Sequence, residues 1–195
     1  MSTSPNPHHA DKALFDAPSS VSMRLARPDD ASYIYSLRIN PAFNRHLSPP
    51  PPSVEAQRAF LEGYLARETA GTEFYFVIVK KETGHPCGVV RLYDLQADSF
   101  CWGSWILDHT KPRLAAVESA MFVYDFAFGL LGYSSCHFDV RRDNVGVISF
   151  HKRFGAVETA EDEQNFYFRL DADALRAKLP ALVALTGYSP VRFTA

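Results

Sequence analysis

The sequence predicts a single α/β domain: a mixed, mainly antiparallel sheet with helices on both faces. Three observations carry the prediction. Phe74–Lys80, 87–94 and 100–107 are strand-length apolar runs rich in aromatic and β-branched residues, and a polar turn at 82–86 joins the first two into a meander. The stretch 115–131 has no Lys or Arg and is apolar on almost every side, as befits a helix buried between a sheet and another element. A further strand-length run at 136–140 follows, so strand, helix and strand form a right-handed crossover between two parallel strands.

Size and charge narrow the classes. A chain of 195 residues, 47% hydrophobic and with 15 Phe, is enough for one large aromatic core. The net charge of −2 gives no global attraction to nucleic acid or to an anionic membrane. Cys87, Cys101 and Cys136 are odd in number and set in apolar runs, which predicts buried reduced thiols rather than a disulfide framework or a zinc site. No apolar run reaches membrane-spanning length and the polar start has no hydrophobic signal core, so a cytoplasmic location is expected.

The elements follow in order. Residues 1–20 are poor in large apolar groups and are expected to be a mobile tail, with His8 and His9 idle in solvent. Met23 and Leu25 alternate with Arg24, giving a short strand, and Pro28-Asp29-Asp30 opens a helix carrying Ile34 and Leu37. Residues 40–52 are a loop ending in four prolines, which no helix interior holds. Ser53 caps a helix with Phe60, Leu61, Tyr64 and Leu65 at helical spacing, and Gly71 ends it.

Beyond the crossover, 144–154 is a helix closed by Gly155, and 165–170 is one more strand. The segment 172–185 is predicted helical, interrupted at Pro180, with Leu175, Leu179, Leu182 and Leu185 facing inward. No repeat and no second domain are visible: the division expected is a tail over 1–20, a domain over 21–170 and a helical extension over 171–195 packed on it.

Several residues suggest chemistry on physical grounds alone. The start of the helix at Ala115 offers unpaired N–H groups and a positive dipole end, with Lys111 and Arg113 beside it, a combination suited to a pyrophosphate. Arg141, Arg142, Lys152 and Arg153 are close enough in topology to form a second basic group, or are ordinary solvated charges. Strand alternation puts His137 and Asp139 on the polar face of their strand, opposite Cys136, Phe138 and Val140. Glu118 is the least expected charge in the chain: it either reaches backbone donors near its helix start, the reading favoured, or faces an active site.

The run Asp125-Phe126-Ala127-Phe128, Asn144 and Lys152-Arg153-Phe154-Gly155-Ala156 resembles the pattern of the GNAT acyltransferases, in particular the RimL-like branch and its relatives that acetylate nucleotide-linked amino sugars. The resemblance spans roughly 23–170. It implies a sheet splayed between its two parallel strands and acetyl-coenzyme A as co-substrate. It also implies direct transfer to a primary amine without a metal ion. Reading back from Asp125, the family's Gln/Arg-x-x-Gly-x-Gly/Ala loop falls on Lys111, Leu114 and Ala116, so leucine stands where a glycine is usual. Cofactor contacts carried over by resemblance are Ile106, Leu107, Lys111, Arg113, Leu114, Ala115, Ala116, Val117, Ser119, Asn144, Phe150 and Arg153, with a backbone N–H within 103–107 polarising the thioester. Asn144 has a second reading, as the N-cap of its helix, which is given slightly more weight.

By resemblance His151 stands where many relatives carry a tyrosine acid; on its own terms it is a titratable group on an apolar stripe, suited to proton transfer or simply packed. Glu118 and Asp139 complete the catalytic candidates. The loop Phe43-Asn44-Arg45-His46 forms the expected wall of the acceptor pocket, with Arg45, Tyr93 and Trp102 as substrate contacts. The expected activity is N-acetylation of a small-molecule amine, with a nucleotide-linked amino sugar as one candidate, by a monomer or homodimer. The alternatives are a protein N-terminus or an antibiotic as acceptor, or a non-catalytic acyl-coenzyme A-binding protein motivated by Leu114 and His151.

Overall fold

Among the residues described by the computed structural model, 19–188, seven strands form one sheet. They are β1 (Val21–Leu25), β2 (Phe74–Lys80), β3 (Pro86–Tyr93), β4 (Ser99–Leu107), β5 (Ser135–Arg141), β6 (Val157–Glu161) and β7 (Asn165–Asp171), in the spatial order β1-β2-β3-β4-β5-β7-β6. All neighbours are antiparallel except β4 and β5, which run parallel. That parallel pairing covers only Ser99↔Ser135 and Phe100↔Cys136. Beyond it the two strands part and the sheet splays open. Most of the expected tail, with His8 and His9, lies outside the described residues, as do residues 189–195.

Strand alternation divides the core between the two faces. Tyr75 and Val77 of β2 point to one side, where α1 (Ala31–Ile39) and α3 (Val54–Thr69) bury Ile34, Leu37, Leu61 and Tyr64. Phe74, Phe76 and Ile78 point to the other, against α4 (Ala115–Tyr124) and the turns that continue it. There Phe76 meets Phe122 and Phe126 edge-on at 5.4 and 5.1 Å. The three cysteines are buried and unpaired. No helix among the described residues is long and apolar enough to cross a membrane.

Local signals behave as the sequence predicts at several points. Ser53 Oγ accepts the Ala56 N–H at 3.2 Å and caps α3. α5 (Val145–Phe154) ends on Gly155 at φ 102°, and a side chain there would also press on the Ala174 carbonyl at 3.1 Å. On β5, His137 and Asp139 lie on the more exposed face and Cys136, Phe138 and Val140 on the buried one.

Elsewhere the structure differs. The loop over 40–52 contains a short helix, α2 (Pro41–Asn44), capped by Asn40 Oδ1 on the Ala42 N–H at 2.9 Å. The helix over 115–131 widens into a π-helical stretch, Asp125–Leu130, that stacks Tyr124 on Phe128 at 5.6 Å. β6 has no counterpart in the sequence prediction: every one of its residues is exposed, so it carries no alternation to read. In the C-terminal segment the break falls at 177–178, between α6 (Ala172–Arg176) and α7 (Leu179–Thr186), and Pro180 sits in the first turn of α7, where a missing N–H costs nothing. Leu175, Leu179 and Leu182 are buried, but Leu185 is 53% exposed.

Candidate active site

The splay leaves a cleft of about 430 Å³. One wall is β4 from Cys101 to Trp105 and the other is β5 from Phe138 to Arg141; Asn144, Val147 and His151 of α5 and its leading turn close one side. His46–Ser48 and Gln164–Asn165 complete the rim. Because β4 has no β5 partner after Phe100, its amides and carbonyls on that edge face the cleft unclaimed by a ladder.

β4 is also bulged here. Its register with β3 passes from Val89↔Ile106 to Arg91↔Gly103, so Val90 faces two residues, and Ser104 takes the left-handed conformation at φ 46°. Such strain in a non-glycine residue is tolerated where the surrounding structure holds it, and it concentrates at functional sites. Gly103 beside the bulge lets the Tyr93 hydroxyl come close, since a Cβ there would lie 2.9 Å from it and the tyrosine would have to shift. Burial raises the pKa of that hydroxyl well above its ordinary value, so it enters the cleft as a proton-bearing donor.

Of the sequence-predicted residues, Asp139, His151, Asn144, Tyr93 and Trp102 line the cleft together. Asp139 is exposed there. His151 is 6% exposed, packed on Phe138 at 4.2 Å and edge-on to Trp102 at 5.3 Å, and its Nδ1 is buried without a partner. Desolvation lowers its pKa from 6.5 to about 4. Burial thus favours the neutral ring at neutral pH. Trp102 is 5% exposed and donates to Tyr124 Oη at 3.2 Å, which makes it wall more than contact. Asn144 leads into α5, but its side chain makes no capping bond, contrary to the reading given more weight from sequence.

Glu118 does not line the cleft. Its Oε2 accepts from the Ser20 N–H at 2.9 Å, the Ser20 hydroxyl at 2.7 Å and the Val21 N–H at 3.2 Å, fixing the start of β1. Arg45 pairs with Asp143 at 3.0 Å and His46 with the same carboxylate at 3.4 Å, so the loop after α2 reaches across to the turn before α5.

The coenzyme candidates fall into two groups. Ile106 and Ala115 are buried in the core, and Ser119 is taken up by the indole N–H of Trp105 at 3.2 Å. Phe150 packs on Trp105 at 5.2 Å, and Leu107 packs beside the same core. Lys111, Arg113 and Arg153 are exposed, with no ion pair among the described residues. The rest of the expected basic group is committed: Arg141 to Gln164, Arg142 to Glu161 at 2.6 Å and Lys152 to Glu158 at 3.3 Å.

Leu114 has φ −97° and ψ 0°, a conformation that does not need glycine. Its carbonyl takes the Glu118 N–H at 3.0 Å and the Ala115 N–H turns back to Pro112 at 3.1 Å. The first-turn amides of Ala116 and Val117 have no intrahelical acceptor.

Sequence reasoning passed over Ser104, Ser48, Gln164 and Asn165. Asn165 Oδ1 is buried without a partner at the cleft rim. Its only signal in the sequence is an amide opening an otherwise aromatic strand.

A sheet splayed between two parallel strands, with a bulged strand at its opening, defines an acyltransferase of the N-acetyltransferase class. The chain belongs to the GNAT acetyltransferases, whose domain model matches residues 21–157. It is 37% identical to FdhC, a nucleotide-linked sugar GNAT, over 84% of this chain and 93% of that one, with a TM-score of 0.78. Spermidine N-acetyltransferase from Vibrio cholerae, solved in complex with CoA and spermine, shares the fold at a TM-score of 0.69 and 16% identity, covering 80% of this chain and 98% of that one. The ribosomal-protein-S5-alanine acetyltransferase of Vibrio fischeri does so at 0.67 and 16%, covering 78% and 93%. No curated protein matches the chain at a significant level.

Proposed function

We propose that this chain uses acetyl-coenzyme A to acetylate a primary amine on a small molecule, a nucleotide-linked amino sugar. The carrying observation is the parting of β4 from β5 after Phe100, with the Ser104 bulge on the freed edge. The acceptor class is supported by the 37% identical relative, described as a nucleotide-linked sugar GNAT.

The residues present fit the coenzyme. Bound acetyl-coenzyme A supplies the acyl group as an activated thioester. Lys111, Arg113 and Arg153, with the Ala116 and Val117 N–H groups, would hold its phosphates. Asn144, unused as a cap, has an amide free for the pantetheine arm. N–H groups of β4 within 103–107 would polarise the thioester carbonyl. Asp139 would take the proton of the acceptor amine, directly or through water. His151, neutral at working pH, would present a ring N–H to the departing sulfur rather than a full proton. A cytoplasmic location accords with buried free thiols and a coenzyme A substrate.

A thermal-shift titration with acetyl-coenzyme A, followed by thiol release with nucleotide-linked amino sugars, tests the reading. Stabilisation and amine-dependent thiol release are expected. Binding without release for any amine would reassign the chain to acyl-coenzyme A binding alone, and no shift with any acyl-coenzyme A would overturn both.

A further inference from the structure

A second cavity, of about 230 Å³, adjoins the cleft. Ser48 lines both, and Arg91 in the second lies 5.1 Å over the ring of Tyr93 in the first. Its wall comes from four elements: Arg38 of α1, Gln57 and Phe60 of α3, Tyr75 of β2 and Arg91 of β3, with the proline run across it.

The polar groups of this cavity are under-satisfied. Arg38 Nε and Tyr75 Oη are both buried with no partner in good hydrogen-bond geometry, the guanidinium lies beside the hydroxyl, and Tyr75 is 2% exposed. The bonds Arg38 does make all leave through Nη2, to the Ser48 carbonyl at 3.3 Å, the Ser48 hydroxyl at 3.2 Å and the Pro49 carbonyl at 3.3 Å. No carboxylate pairs with it among the described residues. Arg91 is engaged with Glu73 at 2.6 Å, but Arg67 claims the same carboxylate at 2.7 Å. Two guanidinium groups thus share one carboxylate, and Arg38 has none among the described residues. Partly buried cationic groups without a counter-charge are costly, and buried donors without acceptors add to that cost. The cavity is short of an anion with several acceptor oxygens.

We propose that this cavity is a phosphoryl-binding subsite for the acceptor, in which Arg38 and the Tyr75 hydroxyl hold the phosphate oxygens of a nucleotide carrier while its amino sugar reaches the cleft past Ser48. The proposal rests on the acceptor reading above. A guanidinium fork matches phosphate oxygens, and Gln57, 2% exposed, adds an amide. The size suits a diphosphate and is too small for a whole nucleotide sugar. Burial pushes the Tyr75 pKa up to about 12, which keeps its hydroxyl a donor.

Calorimetric titration of the full chain with uridine diphosphate and thymidine diphosphate, with and without saturating coenzyme A, tests the assignment. At least one nucleoside diphosphate should bind alongside coenzyme A. Arg38→Met should weaken it by roughly ten- to hundredfold, and coenzyme A affinity should hold. Tyr75→Phe removes a hydroxyl that makes no well-formed hydrogen bond, so it should fold normally and weaken the same binding several-fold. No nucleoside diphosphate binding, displacement by coenzyme A, or unchanged affinity in both variants would overturn the subsite. So would inorganic pyrophosphate binding as tightly as the nucleoside diphosphates, which would mark a general anion site. These readouts need no turnover, so a protein that binds nucleoside diphosphate through Arg38 but no acyl-coenzyme A keeps the subsite and loses the acetyl-transfer reading.

Discussion

Trp102 and Trp105 stand three positions apart on β4, yet their rings pack on the same side of the sheet with centroids 5.3 Å apart. In a regular strand an odd separation sends side chains to opposite faces. Ser104, at φ 46°, inserts the extra residue that restores a common face, and the same insertion turns the free backbone edge of β4 toward the cleft. Ser104→Gly should therefore keep both fold and turnover. Ser104→Val, whose branched side chain resists the left-handed region, should cost about 1–3 kcal/mol in urea unfolding and lower turnover at least about tenfold. Wild-type turnover in the valine variant would separate the bulge from catalysis.

Glu118 divides stability from chemistry. Its carboxylate holds three donors of Ser20 and Val21 and does not line the cleft. Glu118→Ala should lower unfolding stability by about 2–3 kcal/mol while kcat per folded molecule stays within about twofold. A large loss of kcat at unchanged stability would place this carboxylate in the reaction instead.

His151 predicts an acid limb in the stability curve. Its pKa in the fold is about 4 against 6.5 for an ordinary histidine, with burial as the cause. Below pH 6.5 the unfolded chain binds a proton that the folded chain refuses, so stability falls as pH drops through this window. The loss is up to about 3 kcal/mol at the low end. His151→Phe should flatten this limb, so that the variant gains on the wild type between pH 7 and pH 5 in urea unfolding. Parallel curves would mean that the ring titrates normally.

Leu114 should be nearly neutral for coenzyme binding. With φ −97° it occupies a conformation open to any residue, and the amides of Ala116 and Val117 lie beyond it. Leu114→Gly is expected to leave the Kd for coenzyme A within about threefold. Lys111→Ala together with Arg113→Ala should weaken it roughly tenfold or more through lost phosphate contacts. A large gain from glycine would show that leucine obstructs the loop.

What the sequence determined by itself was whatever a few neighbouring residues decide. Strand-length apolar runs marked β2, β3 and β4, alternation marked β1 and β5, an unbroken apolar surface marked α4, and Ser53 and Gly155 marked helix ends, because each signal is local burial or local hydrogen bonding. The parallel pair followed from the order strand, helix, strand. Asn144 and His151 were placed by matching motifs and Asp139 by strand alternation, and all three line the cleft. Only the tertiary structure decided which distant groups meet. Glu118 found Ser20 at the far end of the chain, Ser104 left its regular register because β3 opposes it with one residue, and β6 became a strand solely by pairing with β7. Leu185 stayed exposed because α7 shows the core only part of its apolar surface. Helical and strand periods state which face is apolar, but the partner that covers it, and the orphaned donors of Arg38 and Tyr75, depend on residues brought together only by the fold.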